Sequence, residues 1–215
     1  MVAPLVLGLC IGWVVLGRGT VPATTRYHRM IVDCATDNGE EFGRADARIW
    51  LTDPVPTYED FAWTAAETLR SMAEVDDPWC YYEQTAVRFE SGRVVPVAGG
   101  GADERPPLGS LHIVTAIQPE TDPDSADNAA RMIVLDQELA AARTRSLPAV
   151  GASLDGKHAE ESRAVFGLSD DQARQLGLRF GQVAVFAWSG PRWSLLACAS
   201  GRQTHRGWRW LAENG

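Results

Sequence analysis

The stretch that decides the predicted fold is Leu111–Pro119, which reads LHIVTAIQP. It is a short apolar run ended by a proline, and the polar segment 120–127 follows it. Short apolar runs bounded by turn signals are typical of buried strands. We therefore predict a buried strand that leads through a loop into a helix.

The residues after this strand predict a repeating unit of α/β proteins. Ser125 can cap a helix from Ala126 to about Arg143, because a serine side chain accepts a hydrogen bond from a free N–H of the first turn. A second short strand, Arg145–Val150, follows the helix. Strand, helix and strand in this order predict a right-handed βαβ unit with parallel strands.

Further elements are predicted on both sides of this unit. They are strands at Met30–Cys34 and Ala47–Thr52, a helix at Tyr58–Glu74 ended by Asp76-Asp77-Pro78, a hairpin of Glu83–Phe89 and Val94–Ala98, a helix from the Ser169–Gln172 capping box to about Phe180, and a C-terminal hairpin of Val183–Trp188 and Trp193–Ala199. The predicted fold class is α/β, with a mixed sheet, a βαβ unit, helices packed on the faces of the sheet and a C-terminal β-hairpin.

The composition is that of a soluble globular protein. Of 215 residues, 45% are apolar and 22% are charged, and the net charge is −8. An acidic balance argues against a generally nucleic-acid-binding surface. The four cysteines and four histidines are scattered along the chain, so we expect neither a metal site nor a cofactor bound through such ligands.

The N-terminal segment leaves several interpretations open. Residues 2–17 are uncharged but shorter than the roughly 20 residues of a membrane span, and no basic region precedes them as in a signal peptide. We expect an extension over residues 1–29, which is a signal, an anchor or a spurious start before Met30, and a single α/β domain over residues 30–215. A cytoplasmic location is the preferred interpretation. The alternative is export or membrane anchoring through residues 2–23, and a membrane is a partner only if residues 2–17 are retained as an anchor.

Several motifs occur in an order that resembles a known family. They are His112-Ile113-Val114-Thr115-Ala116, Pro119, Asn128-x-x-Arg131, Glu161-Ser162 and Phe180-Gly181-Gln182-x-Ala184-Val185-Phe186. Together they resemble the bacterial domain-of-unknown-function family 3293 over roughly residues 110–189, within a family-like core of 110–200. Gln118 and Val183 stand where the family usually has asparagine. The family has no assigned activity, so the resemblance implies a fold and a cluster of residues.

The expected binding site lies at the end of the first βαβ strand. In open α/β sheets, ligands collect beyond the carboxyl ends of parallel strands, where helix N-termini bind anions. The candidate ligand-binding residues are Thr115, Gln118, Asn128, Arg131, Glu161 and Gln182. The planar guanidinium of Arg131 would hold an anion. The alternative is that Asn128 and Arg131 satisfy the loop backbone and pair with its aspartates.

Three functions are compatible with these patterns. The first is a ligand-binding or regulatory module for a small anionic or nucleotide-like ligand. The second is an enzyme acting on a nucleotide or nucleic acid through His112 or Glu161 with Arg131. The third is a protein-interaction domain that uses a basic, Trp-rich C-terminal face. Nucleic acid is the less favoured partner of that face, and we expect the tail to pack on the domain instead; its residues are Arg202, Arg206, Trp208, Arg209 and Trp210.

Overall fold

The computed structural model describes residues 27–32, 45–50, 55–98 and 105–212, and the chain divides into two compact units after Val55. In the first unit, strand β1 (Tyr27–Val32) pairs antiparallel with strand β2 (Ala45–Trp50). These strands overlap the two predicted for this region. Residues 1–26, which carry most of the predicted N-terminal extension, lie outside the described residues.

The second unit is built on a closed barrel of eight strands. The strands are β3 (Ala86–Phe89), β4 (Gly92–Val97), β5 (Leu111–Val114), β6 (Ser146–Ala152), β7 (Ala159–Phe166), β8 (Ala184–Ser189), β9 (Arg192–Ala197) and β10 (Gln203–Ala212). Their order around the barrel is β10-β4-β3-β6-β7-β5-β8-β9, and each neighbouring pair is antiparallel.

The predicted α/β fold class is therefore wrong, and the reason lies in β7. This strand pairs with β5, where Leu111 lies opposite Phe166, and also with β6, where Ser146 lies opposite Val165. It separates the two strands that were predicted to be parallel neighbours. No strand was predicted at β7, because its first half is polar and carries no apolar run.

Two of the four described α-helices pack against the outside of the barrel. The helices are α1 (Ala66–Glu74), α2 (Asp76–Glu83), α3 (Ala126–Ala141) and α4 (Asp170–Arg179). Met132 and Leu135 of α3 and Ala173 of α4 share one buried cluster with Val165 and Val185 of the barrel wall. Among the described residues, no helix is long and apolar enough to cross a membrane.

The helix predicted at Tyr58–Glu74 is in fact a 3-10 turn followed by the shorter helix α1. At the start of the turn, Tyr58–Asp60, the Asp60 carboxylate accepts from the Thr57 N–H at 2.7 Å. Residues 61–65 are extended or irregular. Helix α1 ends at Glu74, as predicted, and the segment Asp76-Asp77-Pro78 also begins α2, which agrees with the tolerance of helix first turns for proline.

The barrel interior holds a cluster of tryptophans. Trp188, Trp193 and Trp208 are buried together with Val87 and Leu111. The Trp208 indole N–H donates to the Gly190 carbonyl at 2.9 Å. β10 pairs with both β4 and β9 and so closes the barrel. The prediction that the tail packs its tryptophans on the domain is confirmed.

Candidate functional site

A pocket opens at one end of the barrel, where β5, β6 and β9 end and β3, β7 and β8 begin. We call it the mouth pocket. Its volume is about 410 Å³. Its apolar part is formed by Ile113, Phe186 and Leu195. Residues of α2 and of the 119–121 loop also line it. The tryptophan cluster fills the interior beyond these side chains, so the barrel is packed at one end and open at the other.

The pocket exists because two adjacent strands place small or polar residues at the mouth. In the β6–β7 pair, Gly151 lies opposite Glu160. A β-carbon added to Gly151 would lie 3.6 Å from Cγ2 of Thr85 and 4.0 Å from Oγ of Ser162, and both of these residues line the pocket. The missing side chain of Gly151 therefore leaves space inside the barrel.

The charged groups of the mouth pocket are mainly acidic. Glu120 and Glu160 line it together with His158, whose Nε2 lies 2.7 Å from Oε1 of Glu160. Glu120 has a φ of +59°, a conformation that is uncommon for residues other than glycine. Burial, and then the carboxylates of Glu160 and Glu120, raise the pKa of Tyr82 to about 12. The Tyr82 phenol is therefore neutral at physiological pH.

Two of the six sequence-predicted site residues, Thr115 and Gln182, line this pocket. The Thr115 hydroxyl donates to the Glu161 carbonyl at 2.7 Å and accepts from the Ile117 N–H at 3.1 Å. The Gln182 amide donates to the Ile117 carbonyl at 2.8 Å and to the Phe180 carbonyl at 3.1 Å. Both side chains thereby hold residue 117 or its neighbours in place.

Gln118 and Asn128 are also buried, but their hydrogen bonds go to the protein itself. Gln118 Oε1 accepts from the backbone N–H and the hydroxyl of Thr64, at 3.0 and 2.9 Å. Asn128 Oδ1 accepts from the Gln118 N–H at 3.1 Å, and its Nδ2 donates to the Thr121 hydroxyl and the Asp122 carbonyl. This arrangement matches the alternative in which Asn128 satisfies the loop backbone.

Neither Arg131 nor Glu161 lines the mouth pocket, and the two side chains contact different residues. The Arg131 guanidinium donates to the Ala62 carbonyl at 3.2 Å and lies 4.9 Å from the Phe61 ring. Glu161 is exposed and pairs with Arg163 at 2.8 Å. The structure thus brings Thr115 and Gln182 to the mouth pocket, and it joins Gln118 and Arg131 through hydrogen bonds of 3.1 and 3.4 Å to Oδ1 of Asn128. A ligand contact by all six residues stays a prediction.

The second hypothesis requires His112 or Glu161 to act with Arg131. His112 is buried, and its Nε2 lies 2.9 Å from Oδ1 of Asp170 at the start of α4. Because His112, Glu161 and Arg131 each have a different partner, the geometry offers no support for a shared catalytic step.

The basic side chains of the tail are engaged with helix α2 and its neighbourhood. Arg202 donates to Asp76 at 2.7 Å and lies 4.6 Å from the Trp79 ring, and Arg206 pairs with Glu83. Trp208 is buried and Arg209 is exposed. A protein or nucleic-acid partner of this tail stays a prediction, although most of these side chains already contact the domain.

The residues that give the pocket its chemistry were not among the predicted site residues; they are Tyr82, Glu120, Gly151 and Glu160. The alternation of Glu160, Ser162 and Ala164 with Glu161 and Arg163 was the available signal, because alternating side chains of a strand face opposite sides. Within the described parts of the chain, His, Cys, Asp and Glu side chains do not gather in a group of three or more that could hold a metal ion.

Comparison with known proteins confirms the family resemblance. Residues 114–185 match the family model described as "Protein of unknown function (DUF3293)". The match runs from the end of β5 through α3, β6, β7 and α4 to the start of β8. Neither the curated proteins nor the solved structures contained a match. The chain thus contains a stretch similar to an uncharacterised domain.

Proposed function

We propose that residues 56–215 form a binding module that takes one small molecule into the mouth pocket. The observation that carries this proposal is the cavity of about 410 Å³ at one end of an otherwise packed barrel. Eight-stranded barrels are just wide enough to be filled by side chains or to hold one small ligand. Here the side chains fill one end only.

The lining of the cavity also supports binding. Pockets for small molecules measure roughly 300–1,000 Å³ and combine apolar walls with a few polar groups. Ile113, Phe186 and Leu195 supply the apolar wall, while Gln182 and Glu160 supply polar groups. An apolar ligand body would gain by leaving water for this wall.

The ligand site expected from the sequence differs from the mouth pocket in its position and in the charge of the ligand it would hold. The sequence placed a small anionic ligand between Thr115 and Arg131. Arg131 is held by the Ala62 carbonyl and by Phe61, and the mouth pocket is lined by carboxylates. The mouth pocket is therefore the better candidate site, and the anionic ligand stays an untested expectation.

The test uses the substitution Gly151→Leu, which adds a side chain where the pocket needs space. Gly151 has a β-strand backbone, and a β-carbon there meets only ordinary contacts. We expect the uncharged fluorescent probe N-phenyl-1-naphthylamine to bind the wild-type chain. Overpacking costs about 1–3 kcal/mol, so binding to Gly151→Leu should weaken about 10- to 100-fold.

The matched control is Gly201→Leu, where an added β-carbon meets nothing within 4 Å. This variant should bind the probe as the wild type does. Thermal melts of all three proteins check that each is folded. The proposal is contradicted if the wild-type chain does not bind the probe, or if folded Gly151→Leu binds it unchanged.

A further inference from the structure

We infer that the ligand of the mouth pocket carries a positively charged group that donates hydrogen bonds, such as a protonated amine, on an apolar body. This inference rests on the proposed function and specifies its ligand class. It follows from the hydrogen-bonding state, the charge and the aromatic residues of the pocket lining.

The serine and threonine hydroxyl hydrogens of the lining are already used within the protein. Thr85 donates to the Tyr81 carbonyl, Thr115 to the Glu161 carbonyl, Thr121 to the Gln118 carbonyl, Ser153 to the Asp155 carboxylate and Ser162 to the Glu160 carbonyl. A hydroxyl has one hydrogen and two lone pairs. These five side chains can therefore offer a ligand lone pairs, but no further hydrogen.

The side-chain donor of Gln182 is likewise used within the protein. Its side chain is about nine-tenths buried, with 6% of the residue exposed, and its amide nitrogen donates to the carbonyls of Ile117 and Phe180. Its Oε1 takes no hydrogen bond from the described part of the chain. Oε1 is not among the fully buried unpaired atoms of the described residues, so it keeps access to solvent, and a ligand that donates to it would replace water at this acceptor.

The charge of the lining selects the sign of the ligand. Glu120 and Glu160 bring two carboxylates, and none of the described lining residues is lysine or arginine. His158 is the partner of Glu160 and is positive only when protonated. An anion would meet two like charges in a partly enclosed space, whereas a cation would be attracted by both carboxylates.

Two tyrosines add to the preference for a cation. Tyr81 and Tyr82 of α2 both line the pocket, and Tyr81 is 72% exposed at its rim. The faces of aromatic rings attract cations. Burial and then the two carboxylates raise the pKa of Tyr82 from 10.0 to about 12. Its phenol is protonated at physiological pH, as any tyrosine is, and can donate a hydrogen bond to one of these carboxylates or to the ligand.

The experiment compares three probes that share an indole ring and differ in the charge of the side chain. They are tryptamine, which is cationic, tryptophol, which is neutral, and indole-3-propionate, which is anionic. Binding to the full chain is measured by isothermal titration calorimetry at neutral pH. We expect tryptamine to bind about tenfold more tightly than tryptophol, given the usual size of cation–π and ion-pair contributions, and indole-3-propionate to bind most weakly.

Variants identify the source of the preference. Glu120→Gln combined with Glu160→Gln should remove the advantage of tryptamine over tryptophol, because the variant keeps the size of both side chains and loses their charge. Glu90→Gln, in the turn between β3 and β4 at the opposite end of the barrel, is the matched control. The comparison of probes on the wild-type chain does not depend on the folding of any variant.

Three results would overturn the inference. Equal affinity for the three probes, or tighter binding of indole-3-propionate, would exclude a cationic ligand class while the module could still bind N-phenyl-1-naphthylamine. If none of the three indoles bound while N-phenyl-1-naphthylamine still did, the cationic ligand class would likewise be excluded. Failure of the dye as well would contradict the proposed function itself, so the two failures are distinguishable.

Discussion

Gln118 and Asn128 show how the residues of the family-like motif act in this chain. Both are polar and almost fully buried, and each makes several hydrogen bonds to backbone or side-chain groups. Gln118 stands where the family usually has asparagine, and its longer side chain spans from Thr64 to the Phe180 carbonyl. The amides hold a loop, and the carboxylates of the pocket lie on residues outside the motif.

Tyr82 supplies a pH-dependent prediction at the same scale. Its pKa is raised from the ordinary value of 10.0 to about 12, chiefly by burial. The protonated phenol is thus favoured by folding. Its contribution to stability is fully present below pH 10 and is lost as the pH rises through 12. We expect the folding free energy of the wild-type chain to fall between these values by about 2–3 kcal/mol more than that of Tyr82→Phe.

The measurement is urea unfolding of both proteins across this pH range, together with the tyrosinate absorbance of the folded state. The difference between the two absorbance titrations isolates Tyr82 from the other tyrosines. A difference curve with its midpoint near pH 10, or equal loss of stability in both proteins, would show that Tyr82 is not buried among carboxylates as described.

At the scale of elements, the segment 57–64 packs against part of the predicted ligand-binding site. Thr64 donates to Gln118, and the Tyr58 hydroxyl donates to the Arg179 carbonyl at 2.6 Å. The rings of Tyr58 and Trp63 stack at 4.9 Å and both contact Phe180 edge-on. Part of the family-like motif therefore serves to bind a neighbouring segment of the same chain.

The contact between segment 57–64 and the family-like motif can be tested by a substitution at Arg131. Its guanidinium lies over Phe61 and Trp63 and donates to the Ala62 carbonyl. Arg131→Ala removes a cation–π pair and a charge-assisted hydrogen bond, together about 2 kcal/mol, so local opening should become about 30-fold more frequent. Hydrogen exchange should accelerate in residues 57–64 and stay unchanged in β8 and β9.

The control for this prediction is Arg192→Ala, which removes an exposed arginine at the start of β9. It should leave exchange in residues 57–64 unaltered. Unchanged protection of this segment in Arg131→Ala would mean that other contacts hold it. A uniform rise in exchange over the barrel would instead assign Arg131 to global stability.

For the whole molecule, closure of the barrel depends on its last strand. β10 forms ladders with β4 and with β9 and brings Trp208 into the interior. A chain that ends at Gly201 would leave two open sheet edges and lose part of the tryptophan cluster. We expect this truncated chain to lose cooperative thermal unfolding and its near-ultraviolet circular dichroism, because fixed tertiary packing would be lost.

A chain that ends at Ala212 keeps all of β10 and is the matched control. It should melt cooperatively, as the full chain does. If the chain that ends at Gly201 also melted cooperatively, β10 would be an accessory strand, and the barrel could close without it.

Several elements could be predicted from the sequence because their signals are local. The Ser125 cap accepts from the Asn128 N–H, and the Ser169–Gln172 capping box is present. The hairpin β3–β4 has Gly92 as the first residue after its turn, and the hairpin β8–β9 has Gly190 in its turn; both glycines have a positive φ. Caps and tight turns depend on residues three or four positions apart, so the sequence contains all their determinants.

The candidate site could be predicted only in part. Thr115 and Gln182 were identified, because they sit within the family-like motif. Glu160 and Gly151 were not predicted as site residues, because their importance comes from facing each other across two strands that the sequence did not pair. Tyr82 and Glu120 are separated by 38 positions along the chain, and the structure places both on the same pocket wall.

The sequence by itself determined the family resemblance, the N-caps of α3 and α4, two hairpins and the apolar strand Leu111–Val114. Only the tertiary structure decided that β7 separates β5 from β6, that β10 closes a barrel and that one end of this barrel stays open. The physical reason is that a strand's own residues specify its extended form and its buried face. Its neighbours are chosen by side-chain packing and hydrogen bonds between distant parts of the chain, such as Leu111 with Phe166 and Gly207 with Val97.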